Sequence, residues 1–559
     1  MQMTHRLSER LPEPGSRCVF DHSLPPPPDA SVEAQARARF EAYIAAVDQA
    51  ESFHRRGRLD AAAAHAQVAA LMAQGPHAGL FCSPRLERML IDIGRRTARP
   101  TNWRRPQHTQ IKRVLHVATE MVPVGGLVNN LMHWLKADSG RIHSLALTGQ
   151  YLAVPEKLAS EITRSGGDIH HINRTPGYAI SWARKLREIA QAHDAVVLHA
   201  YGQDPIPLIA FAEPDKRPPT LLLNHADHLF WLGASVSDVV LNMREAAQDL
   251  AIARRSVAPS RNTVLPTVVS TPQRTRTREA AKRELGIAEN SILLLSAARS
   301  IKYNTVDGVT FTAPHVELLK KHPNAQLVVL GAGDRPDWAA DMEASGGRIR
   351  SLPATPDTRA WFEACDIYVD SFPFVSSTSM MEAAGLGAPL VSRFYGPDDA
   401  RIFAINHPGI DRPTLHAASE PEYVAHLDRL ISDPAFRVAK AAEARQSVLD
   451  HHTAPGWLDF LERAYGLAET IAPVDPSNVF PESQTDTFSH AEPDQSLYQV
   501  FGFGGEGSLR LKRGIAGALP ARERIAVWLE LLRGRAFEGA KDALRLMFPT
   551  WLLRRLQPR

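Results

Sequence analysis

Hydrophobic positions along the chain fall into short blocks rather than strict alternation. Apolar runs recur at 113–119 (RVLHVAT), 144–147, 169–172, 194–199 (DAVVLH), 220–224 (TLLLN) and 238–241. Amphipathic stretches of helical period, such as 181–192, separate them. A continuous apolar run predicts a strand covered on both faces, and the intervening helices predict parallel βαβ crossovers. The design repeats at 292–297 (ILLLSA), 326–331 (QLVVLG), 348–352, 366–369 (DIYV) and 389–392 (PLVS), with Leu265-Pro266-Thr267 as a hinge between the halves. The pattern predicts an α/β protein with two Rossmann-like domains, 111–265 and 266–455, facing a cleft. Sheets of this kind bind ligands beyond the carboxyl ends of their strands.

The flanks read differently. Residues 1–33 carry the proline run Pro25–Pro28 and predict an extended, disordered tail. Residues 34–105 predict helices, with Phe40, Tyr43, Ile44 and Val47 at helical spacing, a break at Gly57 and an alanine-rich stretch at 61–72. This arrangement resembles a single tetratricopeptide unit, with Gly57, Ala62 and Ala69 where that repeat takes small residues. Two roles stay open for it: a helical cap on the α/β core, or a docking surface for a peptide or protein. Residues 471–505 are polar and acidic and predict a linker. Residues 508–559 predict basic helices, with twelve Lys and Arg against four Asp and Glu, a local charge of +8. Trp528, Leu529, Met547, Phe548, Trp551 and Leu552 add apolar anchors there, so the tail is expected to lie on an anionic membrane, to pack back on the core or to dock a partner.

Composition narrows the class. The formal charge of +3 over 559 residues excludes a chain that is basic throughout. With no reader motif beside the basic tail, no nucleic-acid partner is expected. Cys18, Cys82 and Cys365 lie far apart, which excludes a disulfide framework and predicts a reduced, cytoplasmic setting. No apolar run reaches membrane-spanning length, and no leader peptide is expected, so any membrane contact would be peripheral.

Candidate chemistry clusters after predicted strands. In 370–389, a loop with Phe372, Pro373 and Phe374 leads to Ser376, Ser377, Thr378 and Ser379 at a predicted helix start. Free amides and the helix dipole there suit a diphosphate, and Glu382, a turn inside, can accept hydrogen bonds from sugar hydroxyls. The bland alternative is a serine-capped connecting helix. Arg299 and Lys302 follow the strand at 292–297 and can clamp phosphate oxygens, or stand as solvated charges. Gly125 and Gly126 follow the first strand and allow backbone to approach a ligand. His199 follows the fourth strand; His225, Asp227 and His228 follow the fifth. A base or hydrogen-bonding role at the cleft competes there with a structural one, and a converging metal set is not expected. No dinucleotide fingerprint, Walker A loop, HExxH or nucleophile elbow is present.

The motifs VGG at 124–126, ARSIKYN at 298–304, VVLGAG at 328–333, ACDIYVDSFP at 364–373 and SSTSMMEAAGLGAPLVS at 376–392 resemble those of GT-B glycosyltransferases of the family 4, group 1 type, over about residues 111–468. The resemblance implies a nucleoside-diphosphate sugar as donor substrate, no required cofactor, and a glycan, lipid-linked or protein hydroxyl as acceptor. It implies donor contacts at Arg299, Lys302 and Glu382, a cleft loop at Gly125 and Gly126, an assisting histidine at His199 or His225, and a helix at 456–470 that crosses back to the first domain. Retaining members carry a second glutamate eight positions before the first; Phe374 stands there, which puts retention of configuration in question. The expected function is sugar transfer in bacterial surface-polysaccharide or glycoconjugate synthesis. The rivals are protein glycosylation, an epimerase or phosphorylase on the same scaffold, and a non-catalytic scaffold with a degenerate core.

Overall fold

The structure, a computed structural model, describes residues 32–75, 78–106, 110–123, 125–306, 308–355, 357–396, 398–489 and 508–556. The expected proline-rich tail, apart from its last two residues, therefore lies outside the described residues, as does 490–505 of the expected linker.

Two all-parallel sheets form the core. The first holds β1 (Arg113–Ala118), β2 (Ile142–Leu147), β3 (Ile169–His171), β4 (Ala195–Leu198), β5 (Thr220–Asn224), β6 (Val239–Asn242) and β7 (Asn262–Val264). Their spatial order is β3-β2-β1-β4-β5-β6-β7, with Val114 opposite His143 on one side and Ala195 on the other. The second holds β8 (Ile292–Ala297), β9 (Ala325–Leu330), β10 (Ile349–Leu352), β11 (Ile367–Val369), β12 (Leu390–Arg393) and β13 (Leu415–Ala417), in the order β10-β9-β8-β11-β12-β13. In each sheet the chain starts centrally, runs to one edge and returns to the other. The switch points lie between β1 and β4 and between β8 and β11, and a crevice opens at their carboxyl ends. The apolar runs of the sequence are these strands. They are buried on both faces, so continuous Val, Leu and Ile are stable there. β7 and β13 escape the pattern because they are three-residue edge strands with polar positions.

These are the two Rossmann-like domains expected from the sequence, and the helix Gly456–Thr470 returns from the second to the first. Its Trp457, Leu461, Ala464, Tyr465 and Ala468 share a core with Val114, Trp134, Ala195, Leu221 and Leu241. Trp457 Nε1 donates to Pro266 O at 2.7 Å, and His452 Nδ1 lies 2.8 Å from Thr267 O, so the returning chain grips the hinge. Arg141 pairs with both carboxylate oxygens of Glu462, each at 2.8 Å.

The N-terminal helices Val32–Arg55, Leu59–Gln74 and Pro84–Thr97 are a cap and not a free-standing unit. Gly57 supplies the left-handed turn between the first two, at φ +70°. Tyr43, Val47, Ala62, Ala69 and Leu90 share one core with Leu115, Val117, Val196 and Leu222 of the first sheet. The helix pair stacks on no further copy of itself among the described residues. Its apolar face is covered by the α/β domain, as expected of a cap. Glu87, fully buried, seals the joint: its carboxylate accepts the amides of Gly233 at 2.6 Å, Ala234 at 3.1 Å and Ser235 at 3.0 Å, and the Ser235 hydroxyl.

The segment expected to be a linker is packed as far as it is described. Val479 and Phe480 enter the cap core. Asp486 is buried against Tyr43 Oη at 2.6 Å and Ser83 Oγ at 2.7 Å. The basic tail folds back as well, through the helices Ser508–Ile515, Ala521–Arg533, Ala540–Arg545 and Thr550–Arg555. Ile515, Leu519, Val527 and Leu531 pack on Ala61, Ala64 and Val68 of the cap, and Arg58 meets Glu523 at 3.0 Å. No helix among the described residues is long and apolar enough to cross a membrane.

Candidate functional site

The carboxyl ends of β8 and β11 deliver the charged groups of the second domain. After β8 the chain forms a tight turn, Ser300–Tyr303. Tyr303 is buried and pairs with Ser296 at 2.9 Å, which anchors the turn and aims its neighbour Lys302 across β11. Lys302 Nζ donates to Val375 O at 2.5 Å and lies 4.5 Å from the Phe374 ring centre. Burial, with the charges of Arg299 and Arg244, pushes its ammonium down to about 8 against the pull of Asp370. Arg299 stands exposed at the start of the turn.

After β11, Asp370 organises the loop that leads to the helix Ser377–Gly385. Its Oδ1 accepts Ser371 N, Ser376 N and Ser376 Oγ, each at 2.8 Å, and its Oδ2 accepts Ser392 Oγ at 2.9 Å. Ser376 is thus a buried bracket for the loop. Its amide and hydroxyl are spent on Asp370, which corrects its expected place among the phosphate-binding residues. Ser377, Thr378 and Ser379 remain at the open first turn, with Thr378 exposed. The other end of this helix is pinned by three guanidinium groups: Arg274 donates to Leu386 O at 2.6 Å, Arg278 to Gly387 O at 2.9 Å and Arg445 to Gly385 O at 3.2 Å. Cations at the carboxyl end complement the helix dipole and fix its amino end toward the cleft. Glu382 is half-buried, and burial raises its carboxyl against the nearby Arg359 charge.

The first domain meets this cluster through the loop after β5. Asp227 receives Arg244 Nε at 2.6 Å and Nη2 at 3.0 Å, and His228 Nδ1 lies 3.1 Å from its Oδ1. Burial alone would raise the Asp227 carboxyl; Arg244 and His228 outweigh it and hold the group well below the carboxylate range. Arg244 also donates to Ile402 O at 2.7 Å and Ala404 O at 2.9 Å, so one buried guanidinium ties the two domains together. The His228 ring packs 4.8 Å from that of Phe374, above Lys302. His407 is buried within reach of the same charges, and burial holds its imidazole neutral.

The three residues read as catalytic separate in the fold. His199 lies wholly inside the first domain: its Nε2 is 2.9 Å from His116 Nδ1, and His116 continues to His143 at 3.0 Å. Burial pushes it down to about 3, and no substrate can reach it, so it is a structural histidine. Asp227 is committed to Arg244 and is an organiser of the wall. His225 stays partly exposed at the carboxyl end of β5, lowered by burial and therefore neutral. Gly125 caps the helix Gly126–Ala137 at the end of β1, and a side chain at Gly126 would meet open space. The structure thus joins Lys302, the start of the helix Ser377–Gly385 and Asp227, and leaves His199 apart. Sequence reasoning missed Arg244 and His407. Arg244 follows β6 at its carboxyl end, so the strand-end rule could have found it; His407 lies in an irregular segment with no such signal. Among the described residues no cluster of three or more His, Cys, Asp or Glu is placed to hold a metal ion.

No family model matches the chain, and no curated protein is significantly similar to it. Solved structures do align with it. HepE from Anabaena, crystallised with UDP, aligns at 14% identity over 63% of this chain and 99% of its own, with a TM-score of 0.46. A glycosyltransferase from Rickettsia africae aligns at 12% identity over 66% of this chain and 100% of its own, with a TM-score of 0.46. A variant of the O-GlcNAc transferase of Thermobaculum terrenum aligns at 15% identity over 78% of this chain and 84% of its own, with a TM-score of 0.45. The fold assignment stands on the topology of the two sheets themselves.

Proposed function

We propose that this chain is a glycosyltransferase that moves a sugar from a nucleoside-diphosphate donor to a hydroxyl acceptor. One observation carries the reading: a partly buried lysine and the open amino end of a pinned helix converge at the switch point of the second sheet, facing the first domain. That combination suits a diphosphate, whose charge grows as the sugar departs. In this reading Lys302, Arg299 and the Ser377 and Thr378 amides take the phosphate oxygens. Glu382 accepts hydrogen bonds from ribose or sugar hydroxyls, and the Gly125–Gly126 backbone approaches from the other domain. The positive potential comes from these protein groups, so the step needs no added cofactor. His225, neutral and partly exposed, is the proton acceptor for the attacking hydroxyl. Movement about 265–267 closes the cleft and excludes water.

The finer reading is a peripheral, cytoplasmic enzyme of bacterial surface-polysaccharide or glycoconjugate synthesis. Calorimetric titration with UDP, GDP, ADP, TDP and CMP tests the donor site. Saturable binding of one nucleotide, weakened in Lys302→Met and Arg299→Ala, is the expected result. Folded protein that binds none of them would refute the transferase reading and favour a scaffold with a degenerate core.

A further inference from the structure

The four acidic groups of the basic tail are all engaged in ion pairs. Glu523 meets Arg58, Glu530 meets Lys512, and Glu538 and Asp542 meet Arg513. Arg522, Arg533, Arg535 and Lys541 are exposed, and none of them has an ion-pair partner among the described residues. The tail carries +8 while the whole chain carries +3, so the rest of the chain is −5 and the positive charge is concentrated here.

Exposed apolar side chains are concentrated on the same element. Ile525, Leu529 and Leu532 follow one another at helical spacing along the outer face of the helix Ala521–Arg533, opposite the buried Val527 and Leu531. Leu544, Met547 and Phe548 continue on the next helix and turn, held against the first by Trp528 Nε1 donating to Ala543 O at 2.9 Å. These six are 40–60% exposed, whereas Ile252, Val309 and Val438 stand singly elsewhere. The expected anchors Trp528, Trp551 and Leu552 are instead partly buried and hold the tail to itself and to the core.

The place of this face matters. The last helix, Thr550–Arg555, lies on the loops that follow β2 and β3, at the carboxyl edge of the first sheet. Arg554 stacks 3.5 Å from the Tyr151 ring centre, and Arg555 donates to Arg174 O at 2.9 Å. Leu152, 42% exposed, follows Tyr151 on that rim.

We infer that the outer face of the C-terminal helices docks on an anionic lipid surface. Leucine, isoleucine, methionine and phenylalanine side chains ringed by unpaired arginine and lysine match the two terms of interfacial binding, apolar insertion and attraction to anionic headgroups. A tail fixed to the rim of the first domain would hold the mouth of the cleft beside the bilayer. That docking stands on the patch alone; its consequence, an acceptor presented at the membrane surface, rests on the proposed function.

Co-sedimentation of the full chain with vesicles tests it. Binding is expected to phosphatidylcholine vesicles containing phosphatidylglycerol, to be lost with phosphatidylcholine alone, and to weaken with salt. Substituting Arg522, Arg533, Arg535 and Lys541 by Gln should lower the partition coefficient roughly fivefold per charge removed. Leu529→Ser with Leu532→Ser and Phe548→Ser should lower it without changing the salt dependence. Melting and nucleotide titration of each variant separate loss of docking from loss of fold or of the donor site. Partition equal to wild type in both variants would overturn the inference. So would absence of vesicle binding together with self-association, in sedimentation velocity, that the apolar variant abolishes; the face would then join two copies of the chain.

Discussion

Lys302→Met separates a binding lysine from a structural one. The fall of the ammonium from 10.5 to about 8 means that holding it charged in the folded protein costs about 3 kcal/mol at neutral pH. Methionine removes that cost and keeps the apolar stem against Phe374. It loses the bond to Val375 O, about 1 kcal/mol, and the attraction to the Phe374 ring, about 1 kcal/mol. The variant is therefore expected to be more stable than wild type by about 1 kcal/mol at pH 7. The pH sign follows from proton counts. Between about 8 and 10.5 the unfolded chain holds the Lys302 proton and the folded chain does not, so wild-type stability rises with pH there. The advantage of the methionine variant shrinks over the same window. Its nucleoside-diphosphate affinity should fall about 10- to 150-fold, the worth of one charge-assisted contact. Denaturant melts at pH 7 and pH 10 beside calorimetric titration measure both. A variant that melts below wild type at pH 7, with a gap that pH does not move, or that keeps wild-type affinity, would refute the reasoning.

Other predictions follow from the same geometry. Glu382→Ala should weaken a nucleoside diphosphate about tenfold and leave inorganic pyrophosphate unchanged in competition titrations, because the carboxylate is assigned to hydroxyls and not to phosphate. Arg244→Met strands the buried Asp227 carboxylate and two carbonyls of the opposite domain; a loss of about 3–5 kcal/mol in denaturant melts is expected, with faster proteolysis around 398–407. Glu87→Gln replaces a carboxylate that accepts three amides and a hydroxyl, and should cost about 2 kcal/mol, read as a lower melting temperature. His199→Asn should lower stability and leave nucleotide affinity and the pH–rate profile in place, whereas His225→Asn should remove the acid limb of that profile, where protonation of the base shuts activity off.

The strands were legible because a sheet covered on both faces demands unbroken apolar runs, and 220–224 and 292–297 stand where the pattern put them. Strand ends also located the regions of Lys302, Glu382 and the serine-rich turn, since crevices form at carboxyl ends whatever the side chains. Individual roles were less legible. Ser376 and Ser377 are neighbours of one type, yet Asp370 consumes the first and leaves the second at the open turn. His199 and His225 each follow a strand, but only the contacts of His116 and Trp134 bury the former.

Local periodicity therefore determined the element types, the two-domain α/β plan and the places where chemistry could sit, because those depend on spacing along one segment. Tertiary structure decided which candidates meet. Arg244 bonds to residues 158 and 160 positions away, and Asp486 accepts the Ser83 hydroxyl 403 positions away, and none of these distances is written in a local pattern. The acidic stretch reads as a solvated linker, and the basic tail leaves membrane, core and partner open, because only their charge and apolar content are visible in the sequence. The partners that bury Phe480, Val527 and Leu531 are supplied only when the N-terminal cap is already in place.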